Sequence, residues 1–294
     1  MSEHSAAPLA PVASADHRIP ASHLIERLRL EIVPPILSIL RAGVGRVTAK
    51  ANEVAGDVVT DVDHAVQAFL AERLPAMLEG SRFVGEEEFV EIGDPDRGAI
   101  WIADPLDGTL NFSTGIPFFG TSIALLWAGS PVLAFVLDAT TGTVWDAIAG
   151  GGARRDGVAF SFDAALAKGS PLSVSSGTIE LDAADPALGL MALLRRTSPR
   201  LRILGSQALQ LCYVAEGRLR LLINRETRLW DDAAGWLVCR EAGAAHALAC
   251  GEPLFPLVAG GFAVRGERLF SISGEPALVA EVAAHLRPVA GGAP

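Results

Sequence analysis

Cysteine is scarce in this chain of 294 residues: Cys212, Cys239 and Cys250 are all it has, and no two share a Cys-x-x-Cys spacing. An odd number of scattered thiols does not make a disulfide framework, and it reads as free cysteines in a reducing compartment. The six histidines show no metal-ligand spacing, so His64 and His246 read as surface or core residues. No uninterrupted apolar run reaches the roughly 18 residues that would mark a membrane span. Thr121 to Leu137 comes nearest, and Gly129-Ser130-Pro131 cuts it into two strand-length pieces that read as a hairpin. Positive charge is also short. Lys and Arg number 24 against 34 Asp and Glu, a net charge of −10, which argues against binding a nucleic-acid polymer. The first 20 residues lack a basic segment followed by an apolar one, so no secretory leader is expected, and the chain is expected in the cytoplasm. Neither a P-loop nor a Gly-x-Ser-x-Gly elbow occurs. Whatever chemistry the chain performs must come from carboxylates, hydroxyls and a hard cation.

What is present supports a large folded unit. Half of the residues are hydrophobic and a fifth are charged, enough to bury a substantial core. Residues 1–20 read as a flexible tail, 21–160 as an N-terminal α+β half, and 161–288 as a C-terminal α/β half. Leu24, Leu28, Ile32, Ile36 and Leu40 recur at helical spacing over Ser22 to Arg41, with Pro34-Pro35 predicting a kink or a split into two helices. A second helix is predicted from Thr60 or Asp61. Strands are predicted over Arg82–Gly85, Ala99–Ala103, Thr121–Trp127, Val132–Asp138 and Thr143–Ala147, the run reading as antiparallel. Beyond them come a helix from Ser206 to about Ala215, a strand over Leu219–Ile223, and a helix from Trp230-Asp231 to about Gly243. Helices and strands grouped in this way suggest layered α and β structure with a site between the halves.

The most informative segment is Trp101-Ile-Ala-Asp-Pro-Leu-Asp-Gly-Thr-Leu-Asn-Phe112. Asp104 and Asp107 stand three positions apart at the end of an apolar strand, and two carboxylates that close repel unless a cation lies between them. Gly108 and Thr109 follow with open backbone N–H groups and a hydroxyl, which beside a cation make a place for phosphate. Each acidic motif has a plainer reading. Asp-Pro-Leu-Asp-Gly is also a good turn. Glu86-Glu87-Glu88 after Val84-Gly85 is also a solvated loop. Asp231 or Asp232 is also a helix N-cap, and Thr60 with Asp63 a capping box. If the strand ends neighbour one another, Glu86 joins Asp104 at one cation, and all-oxygen ligands suit magnesium better than zinc.

In order along the chain, Asp-x-Val-Thr-x-x-Asp at 57–63, Gly-Glu-Glu at 85–87, the block at 101–112, and Trp-Asp-x-Ala-Ala-Gly with Glu-Ala-Gly at 230–243 resemble the inositol monophosphatase family. The resemblance spans about residues 22 to 285. It implies a layered αβαβα sandwich shared with fructose-1,6-bisphosphatases, and two or three Mg2+ ions per site. Glu86, Asp104 and the Leu106 carbonyl would bind one ion, and Asp104, Asp107 and Asp231 a second. Thr109 paired with Asp63 would orient and deprotonate the attacking water, with Glu87 a further catalytic acid. Leu106, Asp107, Gly108, Thr109, Gly205, Ser206, Gln207 and Asn224 would contact the substrate. The implied reaction is hydrolysis of a small phosphate monoester, an inositol or sugar monophosphate, by a metal-activated water without a phosphoenzyme. A homodimer is implied on the same ground.

Two positions depart from the family pattern. Inositol-selective members tend to carry an acid six positions before the Trp-Asp, where this chain has Asn224, and often a lysine where this chain has Asn52, with Lys50 nearby. Histidinol phosphatases, bisphosphonucleotide phosphatases and fructose-1,6-bisphosphatases remain open as alternatives, because they differ at the pocket rim. Haloacid-dehalogenase phosphatases carry a similar Asp-x-Asp-Gly-Thr, but one residue separates their acids, not two. A catalytically inactive binding protein on the same scaffold is the non-enzymatic alternative.

Overall fold

Prolines early in the chain shape its first helix. The computed structural model describes residues 20–43, 50–51, 58–59, 61–185 and 189–290. Asp57, Thr60, Asn52, the Lys50 side chain and nearly all of the N-terminal tail therefore lie outside the described residues. Helix α1 (Ala21–Arg27) passes through a π turn, Leu28–Ile32, into α2 (Val33–Gly43). The Val33 N–H reaches back to the Leu28 carbonyl, one residue further than in an α-helix. The expected break thus takes the form of a widened turn just ahead of Pro34-Pro35, where the proline rings would otherwise crowd the preceding carbonyls.

After the short pair β1 (Lys50–Ala51) and β2 (Val58–Val59), helix α3 (Asp61–Met77) leads into a seven-stranded sheet. Its strands are β3 (Arg82–Gly85), β4 (Ala99–Asp107), β5 (Gly120–Trp127), β6 (Ser130–Asp138), β7 (Val144–Ile148), β8 (Gly152–Arg155) and β9 (Val158–Phe160), side by side in chain order. The short helix α4 (Thr109–Thr114) separates β4 from β5. The expectation of an all-antiparallel run fails at one place: β3 and β4 are parallel, with Gly85 opposite Ala103. A long irregular connection between them makes that direction possible. Strand β4 also runs four residues past the predicted Ala103, through a register shift between Asp104 and Asp107. Every residue of it is buried.

The remaining elements are α5 (Ala164–Gly169), β10 (Leu172–Val174), α6 (Ser176–Ala184), α7 (Leu190–Thr197), β11 (Leu201–Arg202), α8 (Gln207–Ala215), β12 (Leu221–Thr227), α9 (Leu229–Ala242), β13 (Ala245–Leu248), β14 (Leu269–Gly274) and α10 (Pro276–Ala290). A second, mixed sheet takes the order β11-β10-β12-β14-β13. Helices α8 and α9 lie between the two sheets and contact both. Helix α3 and the α1–α2 run cover the outer face of the first sheet, and α7 and α10 pack with the second. The result is the expected α+β sandwich with layers αβαβα.

Between the sheets Leu209, Leu211, Val238 and Leu237 are fully buried against Ile100, Leu126 and Val136. Each such side chain contributes about 1.5–3 kcal/mol relative to exposure. Gly235 lets α9 press directly on Leu211 of α8, where a side chain would collide. That close approach is what the small residues after Trp230-Asp231 make possible. Among the described residues no helix is long and apolar enough to cross a membrane.

Candidate active site

Parallel pairing of β3 and β4 brings their C-terminal ends to the same edge. The Glu86 N–H donates to the Ala103 carbonyl at 3.2 Å, which carries Glu86 next to Asp104. The start of α9 supplies the third member. One carboxylate oxygen each from Glu86, Asp104 and Asp231 lies within 4.8 Å of the others. Asp231 does not cap its helix as an N-cap. That position is Arg228, whose backbone N–H donates to Asp231 Oδ2 at 2.7 Å. The capping interaction and the clustered position therefore belong to one side chain.

This cluster is electrostatically strained. Burial pushes the Glu86 carboxyl up to about 7, with the Glu87 charge adding to it. Asp104 is held well above the usual carboxylate range by burial and then by the charges of Glu86, Asp107 and Asp231. Asp231 is raised for the same reasons, burial first. Acids crowded out of water in this way lower their energy by taking up protons or a cation. Three hard oxygen donors at this separation fit a divalent cation such as Mg2+.

Asp107 adjoins the cluster but is held differently. Ser206 Oγ donates to its Oδ2 at 2.5 Å, Ala208 N–H to Oδ2 at 2.7 Å, and Gln207 N–H to Oδ1 at 3.0 Å. It thus sits on the N-terminal end of α8, where a negative charge is favoured. Burial raises it to about 6 and these hydrogen bonds work against the rise.

Beside the acids stands a hydroxyl with a buried partner. Thr109 Oγ1 lies 2.9 Å from Asp63 Oδ1 and 2.9 Å from the Leu106 carbonyl oxygen. Its single proton serves one of them at a time. Asp63 lies on the first turn of α3, almost wholly buried. Gly108 precedes α4 with φ +95°, a conformation that disfavours any side chain, and a Cβ there would also crowd Phe118 and Phe119. Gly205 is likewise left-handed, and a side chain would strike the Asn111 amide. That amide donates to the Leu204 carbonyl at 2.7 Å and the Phe118 carbonyl at 2.8 Å, fastening the two glycine turns to each other.

One cavity of about 570 Å³ takes in most of the residues expected from the sequence. Glu86, Glu87, Asp104, Leu106, Asp107, Gly108, Thr109, Gly205, Gln207, Asn224 and Asp231 all line it. Asp63 and Ser206 stand behind the wall, each reaching the site through the group it bonds. Asn224 donates to Gln207 Oε1 at 2.9 Å and receives the Glu226 N–H at 2.9 Å.

Some contributors were not anticipated. Gln67 accepts from the Glu87 N–H at 2.9 Å and donates to the Glu87 carbonyl, clamping the loop that bears Glu86. Gly85 has no side chain because Gln67 occupies that space. The signal was available: Gln67 follows Asp63 by four residues, on the same helix face. Asn111 stood inside the block at 101–112 with no role read for it, and Arg228 and Arg265 had no signal at all. Their roles depend on distant segments, and the two arginines join the cavity lining only through folding.

Residues 32–285 match the inositol monophosphatase family. The inositol-1-monophosphatase SuhB of Mycobacterium tuberculosis is 33% identical over 223 residues, 71% of this chain and 74% of that protein. The solved IMPase of Thermotoga maritima superposes with a TM-score of 0.72 at 24% identity, covering 92% of this chain and 97% of that one. An IMPase/NADP phosphatase solved with Mg2+ and phosphate gives 0.75 at 20% identity, covering 90% and 95%. The match runs through the β4 acids, the Thr109 turn and the α9 N-terminus, so the chain belongs to the inositol monophosphatase family and is a phosphoric monoester hydrolase of it.

Proposed function

We propose that this phosphatase is Mg2+-dependent and hydrolyses a small phosphate monoester, an inositol or sugar monophosphate, by direct attack of water. The observation that carries the reading is the convergence of Glu86, Asp104 and Asp231 within 4.8 Å, next to the Thr109–Asp63 pair. Glu86, Asp104, Asp107, Asp231 and the Leu106 carbonyl would hold the ions. Carboxylates that also accept from backbone N–H groups keep lone pairs for this. Bound Mg2+ makes a water easier to deprotonate at neutral pH and offsets charge on the departing oxygen.

The chain's own residues do the rest. Thr109 Oγ1 accepts a hydrogen bond from the attacking water and passes its own proton toward Asp63, whose burial keeps it in place. The Gly108 and Thr109 N–H groups hold phosphate oxygens, free of a side chain at Gly108. Glu87 lines the cavity beside Glu86 and adds negative charge that favours cation uptake. Water is the nucleophile in this reading and no covalent phosphoenzyme forms, with Asp107 held in place by three donors and Asp104 accepting from the Leu106 N–H at 2.9 Å. The homodimer implied by the family resemblance, and a cytoplasmic location, are part of this reading.

The test is phosphate release with Mg2+ from inositol 1-phosphate, histidinol phosphate, fructose 1,6-bisphosphate and adenosine 3′,5′-bisphosphate, repeated with excess chelator. Release from at least one ester that stops with chelator is expected. Release that persists without divalent ions would overturn the metal dependence, and trapping of covalent phosphate would overturn direct attack by water.

A further inference from the structure

Two elements from different layers must be held together for the acidic cluster to form. Glu86 stands on the connection that follows β3, and Asp231 on the first turn of α9. Like charges on the two push them apart. The fold resists that push at a point outside the cluster. Phe89, three residues past Glu86, lays its ring beside the indole of Trp230, the residue before Asp231, with centroids 5.1 Å apart and planes inclined by 44°. The same ring meets Gly266, where a Cβ would come within 2.6 Å of Phe89 Cε1. Gly266 is held in turn by Arg228, whose guanidinium donates to the Gly266 carbonyl and lies 5.6 Å from the Trp230 ring centroid. The backbone N–H of that arginine is the donor to Asp231. Farther along, the Ile92 N–H donates to the Val264 carbonyl at 3.2 Å, so the two segments continue together. A latch thus joins the Glu86 loop to the start of α9, and residues 264–266 back it.

The backbone between the acids and the ring carries strain. Glu88 has a φ of +60°, a left-handed conformation that disfavours any side chain. Such a conformation persists where neighbours on both sides enforce it. Gln67 grips Glu87 on one side, and the latch grips Phe89 on the other.

We propose that Phe89 is a positioning residue of the cation site: its ring, seated against Trp230 and the Gly266 turn, fixes how far Glu86 stands from Asp231 and so makes the site selective for a small divalent ion. The inference rests on the metal-dependent reading above. Mg2+ demands nearly ideal octahedral geometry at about 2.0–2.1 Å, whereas Ca2+ accepts about six to eight oxygens at about 2.3–2.6 Å in looser arrangements. A cluster free to widen therefore loses Mg2+ first and keeps Ca2+.

Binding of each metal alone to the full chain, followed by calorimetry, tests this without any substrate. Phe89→Ala opens the latch. Its Kd for Mg2+ should rise at least about tenfold, the scale on which outer partners of a metal site act. Its Kd for Ca2+ should rise less than about threefold, because Ca2+ tolerates the wider cluster. A residue that merely supports the fold would weaken both ions alike, so an unmoved ratio of the two Kd values would overturn the proposal.

Two glycines supply an independent arm, which decides the matter even if Phe89→Ala does not fold. Gly266 and Gly260 have φ of +70° and +69°, so alanine meets the same left-handed penalty at either. Only at Gly266 does the new Cβ strike Phe89; at Gly260 nothing lies within 4 Å. Both variants should melt at a lower temperature, but only Gly266→Ala should shift the Kd ratio toward Ca2+. Equal ratios in the two would overturn the proposal. In a Phe89→Ala background, Gly266→Ala should no longer move the ratio, because the ring it displaces is gone; a full additive shift would also overturn it. A native chain that binds neither ion loses the metal reading, and the latch with it. Native binding of Mg2+ with a ratio that no variant moves removes the latch alone.

Discussion

The wall built from β3 and β4 brings acids together with little to neutralise them, whereas the wall built from α8, β12 and α9 meets them with donors. On the first wall, Glu86 and Asp104 stand side by side, each raised by burial and by the other acids of the site. On the second, the α8 N-terminus and Ser206 donate to Asp107, the Arg228 N–H donates to Asp231, and Gln207 and Asn224 offer amides. The two walls divide the work. The sheet concentrates negative charge for a cation, and helix ends hold that charge in shape without cancelling it. A site built from acids alone would repel its own ligands, and one built from donors alone would have no hold on a divalent ion.

The largest effect is expected from breaking the charged wall. Asp104→Asn or Asp231→Asn should lower kcat by more than the roughly 10–100-fold that follows loss of an outer partner of a metal site. Far-UV circular dichroism should show the fold retained, since neutralising one of several crowded acids relieves repulsion. Near-normal turnover in either variant would remove that residue from the cation site.

Next in size is Thr109→Val, which keeps the shape of the side chain and removes its hydroxyl. Loss of a positioned proton-transfer group costs about 10²–10⁴-fold in rate. Single-turnover phosphate release should therefore slow within that range while Mg2+ binding, followed by calorimetry, stays close to native. Weakened Mg2+ binding of the same size as the rate loss would instead assign Thr109 to holding the Leu106 carbonyl.

The smallest effect sharpens the contrast by pH. Glu86 and Asp107 have folded-state values of about 7 and about 6, above the ordinary range for their type. A raised carboxyl contributes stability that is complete below its unfolded value and is lost as pH rises through its folded value. The chelated protein should lose thermal stability between about pH 4 and pH 7, and saturating Mg2+ should flatten the trend by pairing the ionised acids. A melting temperature of the chelated protein that rises steadily over that interval would contradict the strain assigned to the acidic wall.

The local parts of this site were legible because their physics is local. An apolar run ending in Asp104-Pro-Leu-Asp107-Gly-Thr announces a buried strand that stops at a turn, and Ser206 before an apolar-periodic stretch announces a helix start. Gln67 was half legible, one helical turn beyond Asp63 but without a sign of what it touches. Gln207 and Asn224 were expected at the substrate rim, but the bonds that join them to each other and to Asp232 were not legible, since the three residues come from three elements. Pairing direction was the main misreading. Nothing in Arg82–Gly85 says whether its neighbour runs parallel or antiparallel, and β-strand periodicity is the same in both.

The amino-acid order by itself settled the residue types, the apolar periodicities and the motif spacings, and with them the family and the oxygen-rich chemistry. Those properties are set by covalent neighbours and persist in any conformation. Only the tertiary structure decided that Glu86 stands beside Asp104, that Asp107 sits on the end of α8, and that Asn224 lines the cavity bonded to Gln207. Each of these depends on which distant groups lie within reach of one another, and that distance is fixed only when the two sheets close on the helices between them.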